Sequence, residues 1–212
     1  MAGGSTVPGW GTDDFRQWDS KPGSDRRVAR GSRTRDALMD AVIQLIDAGH
    51  PTPTARQVAE RTGVSVRTLY HHFGHLEALW TAAVERQLSH HRSLITAIPH
   101  RGPIGERIRI LAHQRRRLFD VVGPVLRASE VRVPPSAALV DVLEHQRAIL
   151  RDQVARTLAP ELVVRGPEAP VVLDTLEAVT GWQHWNTLRC SFGYSAAQAE
   201  RTVVFTVAQV LG

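Results

Sequence analysis

Arg67, Thr68, Tyr70 and His71 crowd one flank of a short helical pattern whose other side carries Val66, Leu69 and Phe73. Leu69 and Phe73 are four apart and share a face, and Val66 joins them one turn earlier. The opposite flank presents a guanidinium, a hydroxyl and two amphipathic rings. Such groups reach phosphate oxygens and base edges when a helix lies in a major groove of duplex DNA. The same spacing also suits a helical hairpin with a solvated polar face, so the pattern alone leaves both readings open.

The remaining reactive groups do not assemble into a catalytic site. Cys190 is the sole cysteine, and the nearest histidine, His184, is six positions away. On a helix that separation is roughly 240° around the axis, so the two cannot meet. No Gly-rich phosphate loop, HExxH or GxSxG run appears. The pairs His71/His72 and His90/His91 are adjacent, which points them about 100° apart, unlike the i, i+4 pair that chelates on one face. His71 and His75 have that spacing, but Gly74 should break the helix between them. The expectation is no catalytic residue, no resident metal and no cofactor.

Composition agrees with a nucleic-acid partner without requiring one. The formal charge is +5 and the sequence pI is near 10.5. Lys21 is the only lysine, and an arginine-for-lysine coding bias explains that as readily as phosphate recognition. One cysteine excludes an intrachain disulfide. No apolar run approaches the roughly 20 residues of a membrane span, and Met1 to Trp10 lacks an apolar signal core. The expected location is cytoplasmic.

The elements that position the polar flank have local start and stop signals. Thr54-x-x-Gln57 is a capping-box spacing that starts a helix at Ala55. Val58 and Ala59 face inward, and Gly63 can adopt the left-handed conformation that stops the helix. Val64 turns back into the core and Ser65 is an N-cap for Val66 to Phe73. Before this hairpin, Thr34 to Ala48 is an amphipathic helix with Leu38, Ala41, Val42, Leu45 and Ile46 inward, and Gly49 and Pro51 end it.

Together, the helix Thr34 to Ala48, the run Thr54-x-x-x-Val58-Ala59-x-x-x-Gly63-Val64-Ser65, then Thr68-Leu69-Tyr70-x-His72-Phe73 and Glu77-Ala78-Leu79, resemble the N-terminal domain of the TetR family of bacterial transcriptional repressors. The resemblance implies that Arg67 and Thr68 read bases while Thr54, Tyr70, His71 and His72 hold phosphates. Arg56 joins this DNA-binding set, as do Arg27 and Arg30 of a basic stretch that similar proteins lay in the minor groove. The family's basic residue at the start of the fourth helix falls on Leu76 here, so His75 or the helix N-terminal amides must take its role.

Met1 to Arg33 has no helical or alternating apolar period and reads as a flexible arm, either a solvated tail or a DNA contact, with Asp13, Asp14, Asp19 and Asp25 diluting its charge. His75 to about Ala97 reads as one long helix. Pro103 opens another, stopped by Gly123-Pro124, and a short helix from Val125 to about Val133 follows. Ser136 to Leu158 is helical, Glu161 to Ala169 is a loop, and Pro170 to Phe192 and Ser195 to Leu211 are the last two helices. Their apolar positions exceed one inward stripe, so other surface must cover them. This pair also resembles the family, in which it forms a four-helix interface across a two-fold dimer.

The expectation is therefore an all-α chain: an arm at 1–33, a three-helix helix-turn-helix DNA-binding domain at 34–80, and a larger helical effector-binding and dimerisation domain at 81–212. Trp182, Trp185, Leu188, Val203 and Val207 are the expected dimer interface. Trp80, His113, Phe119, His145 and Trp182 are the expected lining of a pocket for a small apolar or amphipathic effector. The expected partners are double-stranded DNA and a second copy of the chain, and no membrane. A homodimer repressing at a palindromic operator and released by effector is the first reading. A DNA-binding regulator with no small-molecule site, answering to a protein partner or to nothing, and a metal-responsive regulator are the alternatives.

Overall fold

The structure, a computed structural model, describes residues 22–131 and 136–212, with side chains from Val28 onward. Its regular elements are helical, with no strand among the described residues. Residues up to Asp36 form one unit and Ala37–Gly212 a second, so the expected head at 34–80 and body at 81–212 fall almost wholly in one unit.

Helix α1 (Pro22–Asp47) starts at Pro22, not at Thr34, so the part of the expected arm from Pro22 to Arg33 is helical. A proline suits a first helical position because its φ is preset and its missing N–H would be unpaired there anyway. The segment that follows, through Arg33, carries four arginines and a single alanine beside Gly23 and Gly31, and an exposed helix needs no apolar stripe. Within it the Thr34 hydroxyl donates to the Arg30 carbonyl at 3.1 Å.

The hairpin forms as its local signals dictate. Helix α2 (Ala55–Thr62) has both halves of the capping box at Thr54 and Gln57, and Gly63 ends it at φ 71°. Helix α3 (Val66–Phe73) starts on Ser65, whose hydroxyl accepts the Thr68 N–H at 3.1 Å. Val58, Ala59, Leu69 and Phe73 are buried with Leu38, Val42, Leu45 and Ile46 of α1, which closes the small core. Arg61 Nε to Gln44 Oε1 at 3.1 Å ties α2 to α1.

Helix α4 (Leu76–His90) is shorter than expected. The His91 ring bonds the Gln87 carbonyl at 2.9 Å, which fills an orphan acceptor at the helix end, and a 3₁₀ turn, Arg92–Leu94, follows. Arg86 pairs with Asp40, fixing α4 to α1.

Helix α5 (Ile104–Glu130) runs straight through Gly123-Pro124, where the sequence predicts a stop and a separate short helix. Tertiary packing overrides the local signal: a Cβ on Gly123 would lie 3.2 Å from the Trp182 ring, so the small residue lets that indole lie against the helix. Ser136 caps α6 (Ala137–Thr157) as expected. The expected loop at 161–169 is instead helix α7 (Ala159–Val164) and a 3₁₀ turn, Gly166–Glu168. Pro160 opens this helix where the sequence reading had it end the previous one, and buried Arg107 clamps Glu161 and the Thr157 carbonyl.

The expected single helix over 170–192 is divided. Helix α8 (Ala169–Thr180) stops at an extended Gly181, then α9 (Trp182–Asn186) continues into a π-helical turn, Thr187–Ser191. Helix α10 (Ala196–Leu211) opens on a second capping box, Ser195 with Gln198, and packs on α5 and α8.

Candidate functional site

The exposed flank of α3 carries several unburied donors. Arg67, Tyr70 and His71 are exposed, Thr68 and His72 are half-buried, and Leu69 beneath them is fully buried. Arg67 has no ion-pair or hydrogen-bond partner among the described residues, so its guanidinium is available to an incoming group. The His71 and His72 rings meet edge to face at 5.7 Å.

Three other residues of the expected set are already engaged locally. The Thr54 hydroxyl donates to Gln57 Oε1 at 2.9 Å and accepts from the Gln57 N–H, while the Thr54 N–H also donates to Gln57 Oε1. Both Thr54 donors therefore serve the cap. The Thr68 hydroxyl lies 2.9 Å from that of Ser65. Arg56 is exposed and donates to Glu60 at 2.7 Å, an i, i+4 pair that leaves much of its guanidinium in solvent. Arg30 is exposed, and the Arg27 side chain lies outside the described residues.

His75 completes the head. Its Nδ1 accepts the Ala78 N–H at 3.1 Å as the N-cap of α4. A neutral imidazole that accepts at Nδ1 carries its proton on Nε2, so the exposed edge of this ring is a donor beside a helix N-terminus. This is the place where the sequence carries Leu76 in lieu of a basic residue.

The second feature is a cavity of about 620 Å³ enclosed by α5, α6, α8 and α9. Of the residues expected around an effector, Phe119 and Trp182 line it. Trp80, His113 and His145 do not: Trp80 is fully buried in the core, His145 is exposed, and exposed His113 meets Glu200 on α10 at 3.2 Å. Residues not anticipated from sequence supply its polar groups: Glu130, Gln146, Arg147 and Glu177. A signal was present, because Gln146 and Glu177 interrupt inward stripes, Leu139-Leu143-Leu150 on α6 and Leu173-Leu176-Thr180 on α8. Buried Glu177 accepts from Arg147 and Arg151, and Arg151 also bonds Asp174 at 2.6 Å. Burial pushes the Glu177 carboxyl up, and the two guanidiniums outweigh it and hold the group below its usual range.

The five residues expected at a dimer interface, Trp182, Trp185, Leu188, Val203 and Val207, are all buried inside the chain itself. Their helical spacing is the protomer's own core stripe against α5. The apolar excess instead surfaces at Val171, Phe192 and Phe205, which are 68%, 63% and 65% exposed. Cys190 is exposed and bonds Asn186 Oδ1 at 3.3 Å, with Arg127 at 3.6 Å. Among the described residues no three metal-ligating side chains converge, and no helix is long and apolar enough to cross a membrane.

Residues 38–83 match the family model for bacterial regulatory proteins of the tetR family. No curated protein matches the chain. Among solved structures, a tetR-family transcriptional regulator from Streptomyces coelicolor superposes with a TM-score of 0.68 at 19% identity, covering 84% of this chain and 80% of that one. A transcriptional regulator from Rhodococcus sp. Rha1 gives 0.63 at 20%, covering 85% and 95%. A TetR transcription regulator from Haloarcula marismortui gives 0.61 at 15%, covering 85% and 97%. At these identities the likeness is one of fold. Residues 38–83 thus match the N-terminal domain of the tetR family, and the chain as a whole shares the all-helical fold of the transcriptional regulators it superposes on.

Proposed function

We propose that this chain is a one-component transcriptional regulator that works in the cytoplasm without catalysis. It binds a palindromic operator as a homodimer, represses there, and leaves DNA when a small molecule enters the cavity between α5, α6 and α8. The observation that carries the reading is the α3 flank: Arg67, Tyr70 and His71 project from a helix whose other side, Leu69 and Phe73, is locked in the core. A rigid base under free donors is what major-groove readout needs.

In this assignment Arg67 reads a base edge, and Tyr70, His71, His72 and the Nε2–H of His75 hold phosphates. Thr54 acts by fixing the start of α2, and Thr68 is divided between capping and base contact. Arg56, Arg30 and Arg27 add positive charge toward the polyanion. Functionally, 34–80 is the DNA-binding segment and 81–212 the effector and dimer segment, with 1–33 as the basic approach. The dimer face is the outer side of α8 and α10, centred on Val171 and Phe205.

Release is supported by a chain of hydrogen bonds from the cavity to the segment that follows α4. The Leu150 carbonyl beside the cavity accepts from Arg115 at 3.0 Å, and Arg115 donates to Gln153 at 2.6 Å. Gln153 donates to the Thr96 carbonyl at 2.7 Å, just beyond the turn that follows α4. A shift of α6 around a ligand thereby pulls on the segment joined to the DNA-binding head.

The test is selection from a randomised duplex pool at moderate salt, with sedimentation of the protein alone. The expected result is a dimer and an inverted repeat with half-sites about one helical turn, ~34 Å, apart. A monomer with no preference among duplexes would overturn the reading.

A further inference from the structure

Within the cavity, charge and hydrogen-bonding capacity are unevenly distributed. Four carboxylates line it, Glu130, Glu144, Asp174 and Glu177, against the single guanidinium of Arg147. Arg147, together with Arg151, is committed to Glu177, and Arg151 also to Asp174. Glu130 and Glu144 therefore have no cationic partner among the described residues. Glu130 is held in place at the wall, because the Trp182 Nε1–H donates to its Oε1 at 2.7 Å. The indole that carries this bond packs edge to face on Phe119, with centroids 5.7 Å apart. The Arg127 guanidinium already lies over the Trp182 ring, 5.6 Å from its centroid, so a guest cation is drawn chiefly by the fixed carboxylate and by the Phe119 ring.

A second, independent group lies in the wall. Gln146 is 6% exposed and lines the cavity, and its Nε2 is buried without a hydrogen-bond partner. A buried amide donor left unpaired costs about 1–3 kcal/mol, which a bound acceptor would recover. An anionic head group offers no such gain overall, since it would face Glu130 and Glu144 and would have to draw Arg147 away from Glu177.

We infer that the cavity takes an aromatic or amphipathic organic cation that carries a hydrogen-bond acceptor, with its charge beside Glu130 and Glu144 and its acceptor on Gln146. This rests on the effector reading above and names the chemical class of that effector.

Three dyes with fused-ring bodies test it on the full chain: cationic tetramethylrhodamine methyl ester, neutral Nile red and anionic fluorescein. Binding is read by fluorescence anisotropy and by the shift in melting temperature. The expected result is that the cation binds at least about tenfold more tightly than the anion, equivalent to about 1.4 kcal/mol. Glu130→Gln keeps an acceptor for Trp182 and removes the charge, so it weakens the cation about tenfold and leaves Nile red unchanged. Gln146→Leu weakens the ester-bearing cation while circular dichroism stays that of the parent protein. Fluorescein binding as tightly as the cation, or a cation affinity indifferent to Glu130→Gln, overturns the inference and leaves the effector reading standing. Failure of all three dyes to bind or stabilise the protein overturns both.

Discussion

Arg115 Nη1 donates to Gln153 Oε1 across 2.6 Å in a fully buried setting, and the guanidinium has no acidic partner among the described residues. Its Nη2 goes to a backbone carbonyl, that of Leu150. Burial alone lowers the Arg115 pKa to about 9, still well above neutrality, so at physiological pH the core of the second unit holds a cation balanced only by neutral oxygens. The same Gln153 donates to Gln114 Oε1 at 2.6 Å and to the Thr96 carbonyl, so one amide joins α5, α6 and the segment after α4.

Gln153→Leu is therefore expected to destabilise the chain by about 2–3 kcal/mol, because it strips a charged donor of its acceptor. Arg115→Met, which removes the buried charge and keeps most of the volume, is expected to be much milder or stabilising. Chemical denaturation of the two variants checks the order. Equal losses would mean that the cation is not the costly member.

Arg67→Ala should cost about 1–3 kcal/mol at the selected operator and relax preference at one base position in each half-site. Binding measured on the operator and on single-base variants at fixed salt separates this from a phosphate contact. A phosphate contact would weaken all sequences alike and reduce the salt slope by about one.

Phe205 is exposed on α10 beside Arg201 and Thr202, lining a shallow surface groove. Phe205→Glu is expected to shift sedimentation from dimer to monomer and to abolish operator binding, with helix content unchanged. Trp185→Ala, by contrast, removes a core residue and should lower the melting temperature instead, by a loss of about 3–5 kcal/mol. A Phe205→Glu protein that remains dimeric would move the interface elsewhere.

Three groups set the acid limit of stability: His184, Glu177 and Glu161, the last held low by its bond to Arg107. Half-buried His184 is held below the usual imidazole value by burial, so its contribution is complete above about pH 6.5 and declines as pH falls through the window below it. The Glu177 carboxyl, held down by Arg147 and Arg151, contributes fully above about pH 4.3 and declines as pH falls through its folded value. Melting temperature against pH should therefore fall in two stages on acidification. His184→Gln should remove the upper stage, and Glu177→Gln should shrink the lower one to the share of Glu161.

How much of this was legible in the sequence follows the range of the forces involved. The α2–turn–α3 hairpin was fully legible, because Thr54, Gln57, Gly63 and Ser65 act on backbone groups within three or four residues. The continuation of α5 through Gly123-Pro124 was not, since it depends on Trp182, distant in sequence, lying on Gly123. Helix α7 was hidden for the same reason: Glu161 is held by Arg107 from another element. In the cavity, apolar patterning found Phe119 and Trp182 but could not separate lining from core, which is why Trp80 was included with them. The polar lining was marked only as acids and amides standing in apolar stripes. The five residues expected at a dimer interface meet the same ambiguity, because strongly apolar helical positions first satisfy the protomer's own interior.

The place where Trp182 rests against α5 has a further consequence. The indole closes one side of the cavity while its other neighbour is a residue with no side chain, Gly123, and a methyl there would meet the ring at 3.2 Å. The depth of the chamber is thus governed from behind its wall, by one hydrogen atom in place of a carbon. Small increments of bulk at that spot would press the indole inward and occupy room otherwise left to a guest, so the chain carries, outside the chamber itself, a dial for what it can admit.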